Sequence, residues 1–155
     1  MLIRGPITGV QTPCERVLRT LPDWFGHEAS LLEYAANTAK LATFVAEDGG
    51  QVVGFMSLRQ HFAASWEIDC IAVEGPQRKH GIGRDLHAQA ELWLCSQGAQ
   101  LLQVKTLAES HPSVAYAQTR KFYESLGYRP LEIFPTLWEA DLPVLLLVKV
   151  LVCAR

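Results

Sequence analysis

The sequence has no excess of positive charge. Its 155 residues include 14 Lys and Arg against 16 Asp and Glu, so the formal net charge is −2. Proteins that bind nucleic acid usually carry a basic face, and this composition argues against a nucleic-acid partner. Hydrophobic residues make up 49% and charged residues 19%, which is typical of a globular chain. We therefore expect a single domain over residues 1–155.

Long hydrophobic runs are also absent. The most apolar segment, residues 144–152, is interrupted by Lys149. It is much shorter than the ~20 residues that a membrane-spanning helix needs, so it predicts a buried strand. The N-terminus lacks the apolar core of a signal peptide, because Gly5 and Pro6 interrupt it. We therefore predict a cytoplasmic protein without a membrane partner.

Closely spaced metal ligands are missing as well. The cysteines form no C-x-x-C pair, which argues against a zinc site or a thioredoxin-like motif. The five histidines form neither an H-E-x-x-H motif nor an i, i+4 pair, so we predict no metal. We expect the four cysteines to be buried free thiols: Cys14, Cys70, Cys95 and Cys153.

Hydrophobic periodicity and turn residues predict the order of helices and strands. We expect helices at residues 15–21, 28–38, 83–97 and about 115–126. We expect strands at residues 2–4, 43–47, 52–58, 66–73, 101–107, 128–134 and 145–151, with a loop at residues 135–143. This order predicts an α/β (α+β) fold in which helices flank a mixed, twisted sheet.

The strongest functional signal is a glycine-containing turn between a predicted strand and a predicted helix. Residues 78–84 read RKHGIGR. Glycines let the backbone approach a ligand closely, and the free N–H groups and dipole of a helix N-terminus favour an anion. The basic residues Arg78, Lys79 and Arg84 favour a pyrophosphate. The alternative is a purely structural turn with a solvated basic face.

Two familiar phosphate-binding turns do not fit this segment. A Rossmann turn would need Gly or Ala at Leu86, an acidic residue ~20 positions later and a βαβ unit. A Walker loop would need Gly-Lys-Ser or Gly-Lys-Thr, which does not occur in the sequence. Both classes of nucleotide-binding protein are therefore excluded.

The turn resembles the cofactor motif of the GNAT superfamily of N-acetyltransferases. That motif is Arg or Gln, two residues, Gly, one residue, then Gly or Ala, and Arg78, Gly81 and Gly83 satisfy it. The resemblance resumes at residues 122–128, FYESLGY, and covers about residues 43–149. It implies one acetyltransferase domain with a cofactor-binding core at about residues 66–128 and acetyl-coenzyme A as the co-substrate.

The resemblance also implies where the coenzyme binds. The Val73 backbone would pair with the pantetheine arm and polarise the thioester carbonyl, and amides from Lys79 to Arg84 would wrap the pyrophosphate. His80 would offer its backbone rather than its ring. Many members have Asn near the start of the penultimate helix, where this chain reads SVAY at residues 113–116. The predicted cofactor-binding residues are Ile71, Ala72, Val73, Arg78, Lys79, His80, Gly81, Ile82, Gly83, Arg84, Tyr116, Thr119, Phe122 and Tyr123.

Acid and base candidates follow from the same resemblance. Tyr123 stands where the family has a phenol near the coenzyme sulfur, and the alternative is that it packs in the core like Phe122. Glu67 lies six residues before Val73, which places both on one face of a regular strand. Some members have a catalytic Glu at this offset, and burial could raise its pKa toward that of a base. Asp69, which would share that face, and a water chain are the alternatives.

We expect the protein to transfer the acetyl group of acetyl-coenzyme A to a primary amine by direct attack in a ternary complex. The alternatives are a non-catalytic acyl-coenzyme A-binding or sensing module on the same fold, and a protein-interaction domain whose glycine turn is structural. The acceptor would be a small molecule or a peptide. Residues 22–26 and 137–139 combine aromatic and acidic side chains that could hold a cationic amine, or that pack in the fold. The sequence is also compatible with a homodimer.

Overall fold

The structure, a computed structural model, describes residues 1–154. These residues form seven strands, four α-helices and a short 3-10 turn at Gly75–Gln77. In chain order the elements are β1 Leu2–Ile7, α1 Gln11–Arg19, α2 Glu28–Asn37, β2 Ala42–Asp48, β3 Gln51–Phe62, β4 Ser65–Val73, α3 Ile82–Ser96, β5 Leu101–Leu107, α4 Val114–Ser125, β6 Arg129–Glu139 and β7 Leu142–Val150.

The seven strands form one mixed sheet in the order β1-β2-β3-β4-β5-β7-β6. Strands β4 and β5 pair in parallel, and all the other neighbours in the sheet are antiparallel. One face packs against α3 and α4, and the opposite face packs against α1 and α2. The predicted fold, a mixed sheet flanked by helices, is therefore confirmed.

Most elements lie within a few residues of their predicted bounds, and two regions differ. Helix α1 begins at Gln11, because Pro13 lies in the first helical turn, where a missing N–H breaks no hydrogen bond. The predicted loop at residues 135–143 is wrong, since β6 continues to Glu139. Pro135 is tolerated there because β6 is an edge strand, although its pairing with β7 is interrupted between Phe134 and Glu139.

The cysteine prediction is half right. Cys14 and Cys70 are buried free thiols, as expected. Cys95 and Cys153 instead form a disulfide between the end of α3 and the segment that follows β7. The two are 58 residues apart in the chain, so sequence spacing alone could not show that they meet.

Strand β4 contains a bulge that changes which side chains share a face. Ser57 of β3 pairs with Cys70, and the next residue, Leu58, pairs with Ile68, so Asp69 has no partner on β3. An extra residue reverses the alternation of side chains beyond it. The prediction that Glu67 and Val73 share a face is therefore wrong. Before the bulge the α3 face carries Trp66 and Ile68, and after it the same face carries Ile71 and Val73.

The sheet opens beyond the bulge. Pairing between β4 and β5 stops at Ile68 and Val104. Strand β5 nevertheless stays paired with β7 as far as Leu107. The residues of β4 after Ile68 therefore separate from β5 and leave a wedge in the middle of the sheet. Because both edges of this wedge carry unpaired backbone groups, it is suited to an extended, polar ligand.

Candidate active site

A cleft of about 590 Å³ occupies the wedge between β4 and β5. It extends from the turn before α3 to the side chains of α4, and the segment between α1 and α2 also lines it. Among the predicted site residues, those that line the cleft are Ile71, Ala72, Val73, Arg78, Lys79, Gly81, Ile82, Gly83, Arg84, Tyr116, Thr119, Phe122 and Tyr123. Glu67 and His80 do not line it. Residues far apart in sequence therefore meet at one concave site.

The turn before α3 has the geometry of an anion-binding helix terminus. Gly81 precedes the helix with φ = 82°, a left-handed conformation that disfavours other residues. Lys79 also has a positive φ of 67°. No side chain caps the first turn of α3, so its N–H groups remain available to a ligand. His80 is exposed, and its Nδ1 lies 3.2 Å from the Gln77 carbonyl oxygen.

The second glycine of the motif has a different role. A Cβ on Gly83 would lie 3.2 Å from the Phe122 ring, so the absence of a side chain lets α3 and α4 approach closely. Gly81, in contrast, has open space around the position of a Cβ. Gly81 is therefore required by its backbone angle, whereas Gly83 is required by packing.

Trp24 connects three parts of the cleft. Its Nε1 donates to Thr119 Oγ1 at 2.9 Å and to the Ala115 carbonyl oxygen at 3.2 Å. The Tyr116 hydroxyl donates to the Trp24 carbonyl oxygen at 2.9 Å. The guanidinium carbon of Arg78 lies 4.0 Å from the centre of the Trp24 ring. Tyr116 and Thr119 thus hold the segment between α1 and α2 in place, a contact that helical periodicity could not indicate.

Tyr123 is placed where a buried proton donor could act. It is 4% exposed, lines the cleft and packs edge-on against Phe122 and Tyr128. Its hydroxyl makes no hydrogen bond to another residue in the described part of the chain. Burial raises the pKa of Tyr123 well above the ordinary value. The phenol is therefore protonated at neutral pH and free to donate.

Glu67 belongs to a buried ion-pair cluster. Its carboxylate accepts from Lys105 Nζ at 3.0 Å and from Gln103 Nε2 at 3.3 Å, and it lies 2.6 Å from His61 Nε2. Burial acts to raise the pKa of Glu67, but the hydrogen bonds from His61 and Lys105 outweigh it, and the pKa is lowered. The expected rise in the pKa of Glu67 is therefore wrong. The negative charge of Glu67 is balanced by the positive charge of Lys105.

Asp69 is the carboxylate that lines the cleft. Asp69 is the residue at the bulge, where β4 has no pairing partner on β3. Its Oδ2 accepts from Asn37 Nδ2 at 3.0 Å, and its Oδ1 accepts from Arg59 at 3.1 Å. The cleft thus contains one carboxylate that is fixed by two donors.

Within residues 1–154, no three His, Cys, Asp or Glu side chains are grouped so that they could hold a metal ion. In the same residues, no helix has both the length and the apolar character needed to cross a membrane.

A family model described as the acetyltransferase (GNAT) domain matches residues 39–130, more than half of the 155 residues. The chain therefore belongs to the GNAT acetyltransferase family, as its two motifs predicted. It is an acetyl-coenzyme A-dependent acyltransferase.

Solved structures show the same fold over nearly the whole chain. A GNAT-family protein from Desulfovibrio desulfuricans superposes with a TM-score of 0.81 at 18% identity, covering 97% of this chain and 99% of its own. An aminoglycoside 6'-N-acetyltransferase complexed with coenzyme A gives 0.77 at 22% identity, with coverage of 100% and 99%. The ribosomal-protein-S18-alanine N-acetyltransferase from Escherichia coli gives 0.78 at 18%, with coverage of 99% and 96%. No curated protein sequence matches the chain.

Proposed function

We propose that the protein transfers the acetyl group of acetyl-coenzyme A to a primary amine by direct attack in a ternary complex. The observation that supports this proposal is the single cleft that joins the uncapped N-terminus of α3 to the free hydroxyl of Tyr123. The first feature suits a pyrophosphate and the second suits a leaving thiolate. One extended substrate can span both, because the wedge between β4 and β5 is continuous with them.

The coenzyme end of the cleft has the charge that a pyrophosphate requires. Arg78, Lys79 and Arg84 line it, and the amides from Lys79 to Arg84 lead into the first turn of α3. In the proposed complex these amides hold the phosphate oxygens, and the Val73 backbone pairs with the pantetheine arm. Val73 is free to do so because β4 has already separated from β5 at that point.

The reaction requires one bond to form, one to break and one proton to reach sulfur. The amine nitrogen attacks the thioester carbonyl carbon, the carbon–sulfur bond breaks, and an amide and the coenzyme thiol result. Tyr123 donates the proton to the departing sulfur. We assign removal of the amine proton to Asp69, directly or through one water, because its side chain lines the cleft. We assign Glu67 to holding Lys105 in place.

The acceptor is an amine carried by a small molecule or a peptide. Aromatic side chains, including Phe25, Tyr34 and Trp138, also line the cleft. These rings favour the apolar part of an acceptor or a cation over a ring face. Enzymes named for aminoglycosides and for a ribosomal-protein alanine share the fold, and both acceptors present an amine.

The proposal is tested by a screen of amine acceptors with acetyl-coenzyme A. The panel contains aminoglycosides, free lysine, polyamines and peptides with an N-terminal alanine, and the signals are free thiol and the mass of the product. At least one amine should give saturable thiol release with an equal amount of acetylated product. Tight coenzyme binding in calorimetry without thiol release from any amine would instead favour a binding or sensing module.

A further inference from the structure

The hydroxyl of Thr106, a residue that lines the cleft, has no hydrogen-bond partner in the described part of the chain. Thr106 on β5 is 3% exposed, and its Oγ1 makes no hydrogen bond to any atom of residues 1–154. Every other buried Ser or Thr in that part of the chain donates to a backbone carbonyl: Thr38 to Ala35, Thr43 to Leu41 and Ser57 to Cys70. Because an unpaired buried hydroxyl costs stability, this exception points to a ligand.

The position of Thr106 explains why its hydroxyl is left unpaired. The last pair between β4 and β5 joins Ile68 to Val104, two residues before Thr106. Thr106 itself remains paired with Leu145 of β7, so its backbone is held while the neighbouring strand has moved away. Thr106 therefore lines the wedge from a strand that stays paired on its other side.

The alternation of side chains along β5 determines the face of the sheet on which Thr106 lies. Side chains two residues apart on a strand share a face, so Thr106 lies on the same side as Leu102 and Val104. Those two residues pack in the same cluster as Tyr123. Lys105, whose Nζ binds Glu67, lies on the opposite side of the sheet. Thr106 is thus on the side that the proposed function assigns to the coenzyme sulfur.

We propose that Thr106 is a binding residue for the acyl-coenzyme A substrate, and that its Oγ1 hydrogen-bonds the amide or thioester end of the pantetheine arm. The inference rests on the proposed function for the direction of the coenzyme in the cleft. A hydroxyl both donates and accepts, as an amide does, so one side chain satisfies either group. The site is pre-organised, because Thr106 gives up no internal hydrogen bond when the ligand binds.

Thr106→Val tests this directly, because it keeps the shape of the side chain and removes only the hydroxyl. The melting temperature of the free protein should stay unchanged or rise, since no internal bond is lost. The Kd for acetyl-coenzyme A in calorimetry should increase by about 10-fold, the effect of one lost hydrogen bond. Thr106→Ser, which retains a hydroxyl, should recover most of the affinity.

Thr38→Val is the matched control. Its hydroxyl is equally buried but donates to the Ala35 carbonyl oxygen, so the variant should lower the melting temperature and leave the Kd unchanged. If Thr106→Val does not fold, Thr106→Ala replaces it with the same expected loss of affinity. A variant that binds acetyl-coenzyme A as tightly as the unmodified protein overturns the inference, as does a change confined to the KM of the acceptor.

The binding measurement also separates this inference from the proposed function. Calorimetry requires no acceptor, so a weaker Thr106→Val complex supports the role of Thr106 even if no amine is ever acetylated. Thiol release by the unmodified protein together with an unchanged Kd in Thr106→Val would leave the transferase proposal standing and reject the role of Thr106.

Discussion

The Nε1 of Trp24 donates to Thr119 Oγ1 across the cleft at 2.9 Å. This bond joins the segment between α1 and α2 to α4, two parts of the chain that are 95 residues apart. The same indole lies over Arg78 of the turn before α3. One side chain therefore links α4 and the segment between α1 and α2 to the turn before α3.

The hydrogen bonds of Trp24 to α4 and its cation–π contact with Arg78 can be separated by mutation. Trp24→Phe keeps a ring beneath Arg78 but loses the bonds to Thr119 and Ala115, so we expect a higher KM for the acceptor and little change for acetyl-coenzyme A. Trp24→Ala also removes the cation–π contact, worth about 0.5–1 kcal/mol, and should weaken acetyl-coenzyme A binding by roughly 2- to 5-fold. Steady-state kinetics with each substrate varied in turn measures both effects. Identical KM values in the two variants would argue against this division.

Gly81→Asp should abolish coenzyme binding and leave a folded protein. The substitution adds a negative charge at the start of α3, and Gly81 has φ = 82°, which strains any other residue. We expect the Kd for acetyl-coenzyme A to increase by at least ~100-fold in calorimetry, with an unchanged circular dichroism spectrum.

Gly49→Asp is the matched control for Gly81→Asp. Gly49 also has a positive φ, and open space surrounds it, but it lies in the β2–β3 turn away from the cleft. This variant carries the same change of charge and a similar backbone strain. Its affinity for the coenzyme should be unchanged. An equal loss of coenzyme affinity in both variants would contradict a phosphate site at Gly81.

Tyr123→Phe should lower kcat much more than coenzyme affinity. Loss of a general acid typically costs about 10²- to 10⁴-fold in rate. Burial raises the pKa of Tyr123, so its phenol stays protonated through the alkaline range. Deprotonation of Tyr123 should therefore not lower the kcat of the unmodified enzyme below about pH 10.

Tyr128→Phe is the control, because the Tyr128 hydroxyl lies 2.7 Å from His87 Nε2 rather than in the cleft. It should reduce stability and preserve kcat.

The stability of the fold should fall in mild acid because of His87. The pKa of His87 is lowered to about 4, chiefly by burial and also by Lys149 and Arg84, while Glu91 opposes them. The unfolded chain binds the proton near pH 6.5 and the folded chain only near pH 4, so stability is lost as the pH falls between these values. The loss is roughly 3 kcal/mol for the whole shift.

His87→Gln removes this titration and keeps a side chain that can hydrogen-bond Tyr128. Denaturant unfolding between pH 4 and 8 should show a shallower pH dependence for His87→Gln than for the unmodified protein. His27→Gln, at an exposed position, should follow the unmodified protein. Parallel curves for all three proteins would show that His87 does not cause the acid sensitivity.

Local sequence determined most of the elements and the position of the glycine-containing turn before α3. Helix α2 begins at Glu28 and β5 spans Leu101–Leu107, both as predicted, because apolar spacing and turn residues act over a few neighbouring positions. The glycines next to α3 are a local signal as well, since a positive φ at Gly81 favours glycine wherever the chain places the turn. These features suffice to predict the family, which the matching family model confirms, and they are the basis of the proposed coenzyme site.

The tertiary structure decided which side chains meet in the cleft. The bulge at Asp69 depends on register with β3, and it places Asp69 rather than Glu67 in the cleft. The disulfide between Cys95 and Cys153 and the bond between Trp24 and Thr119 join distant segments, which no periodicity can report. The unpaired hydroxyl of Thr106 arises because β4 leaves β5 two residues earlier. Register, strand separation and long-range contact are properties of the packed sheet, so only the folded chain could reveal them.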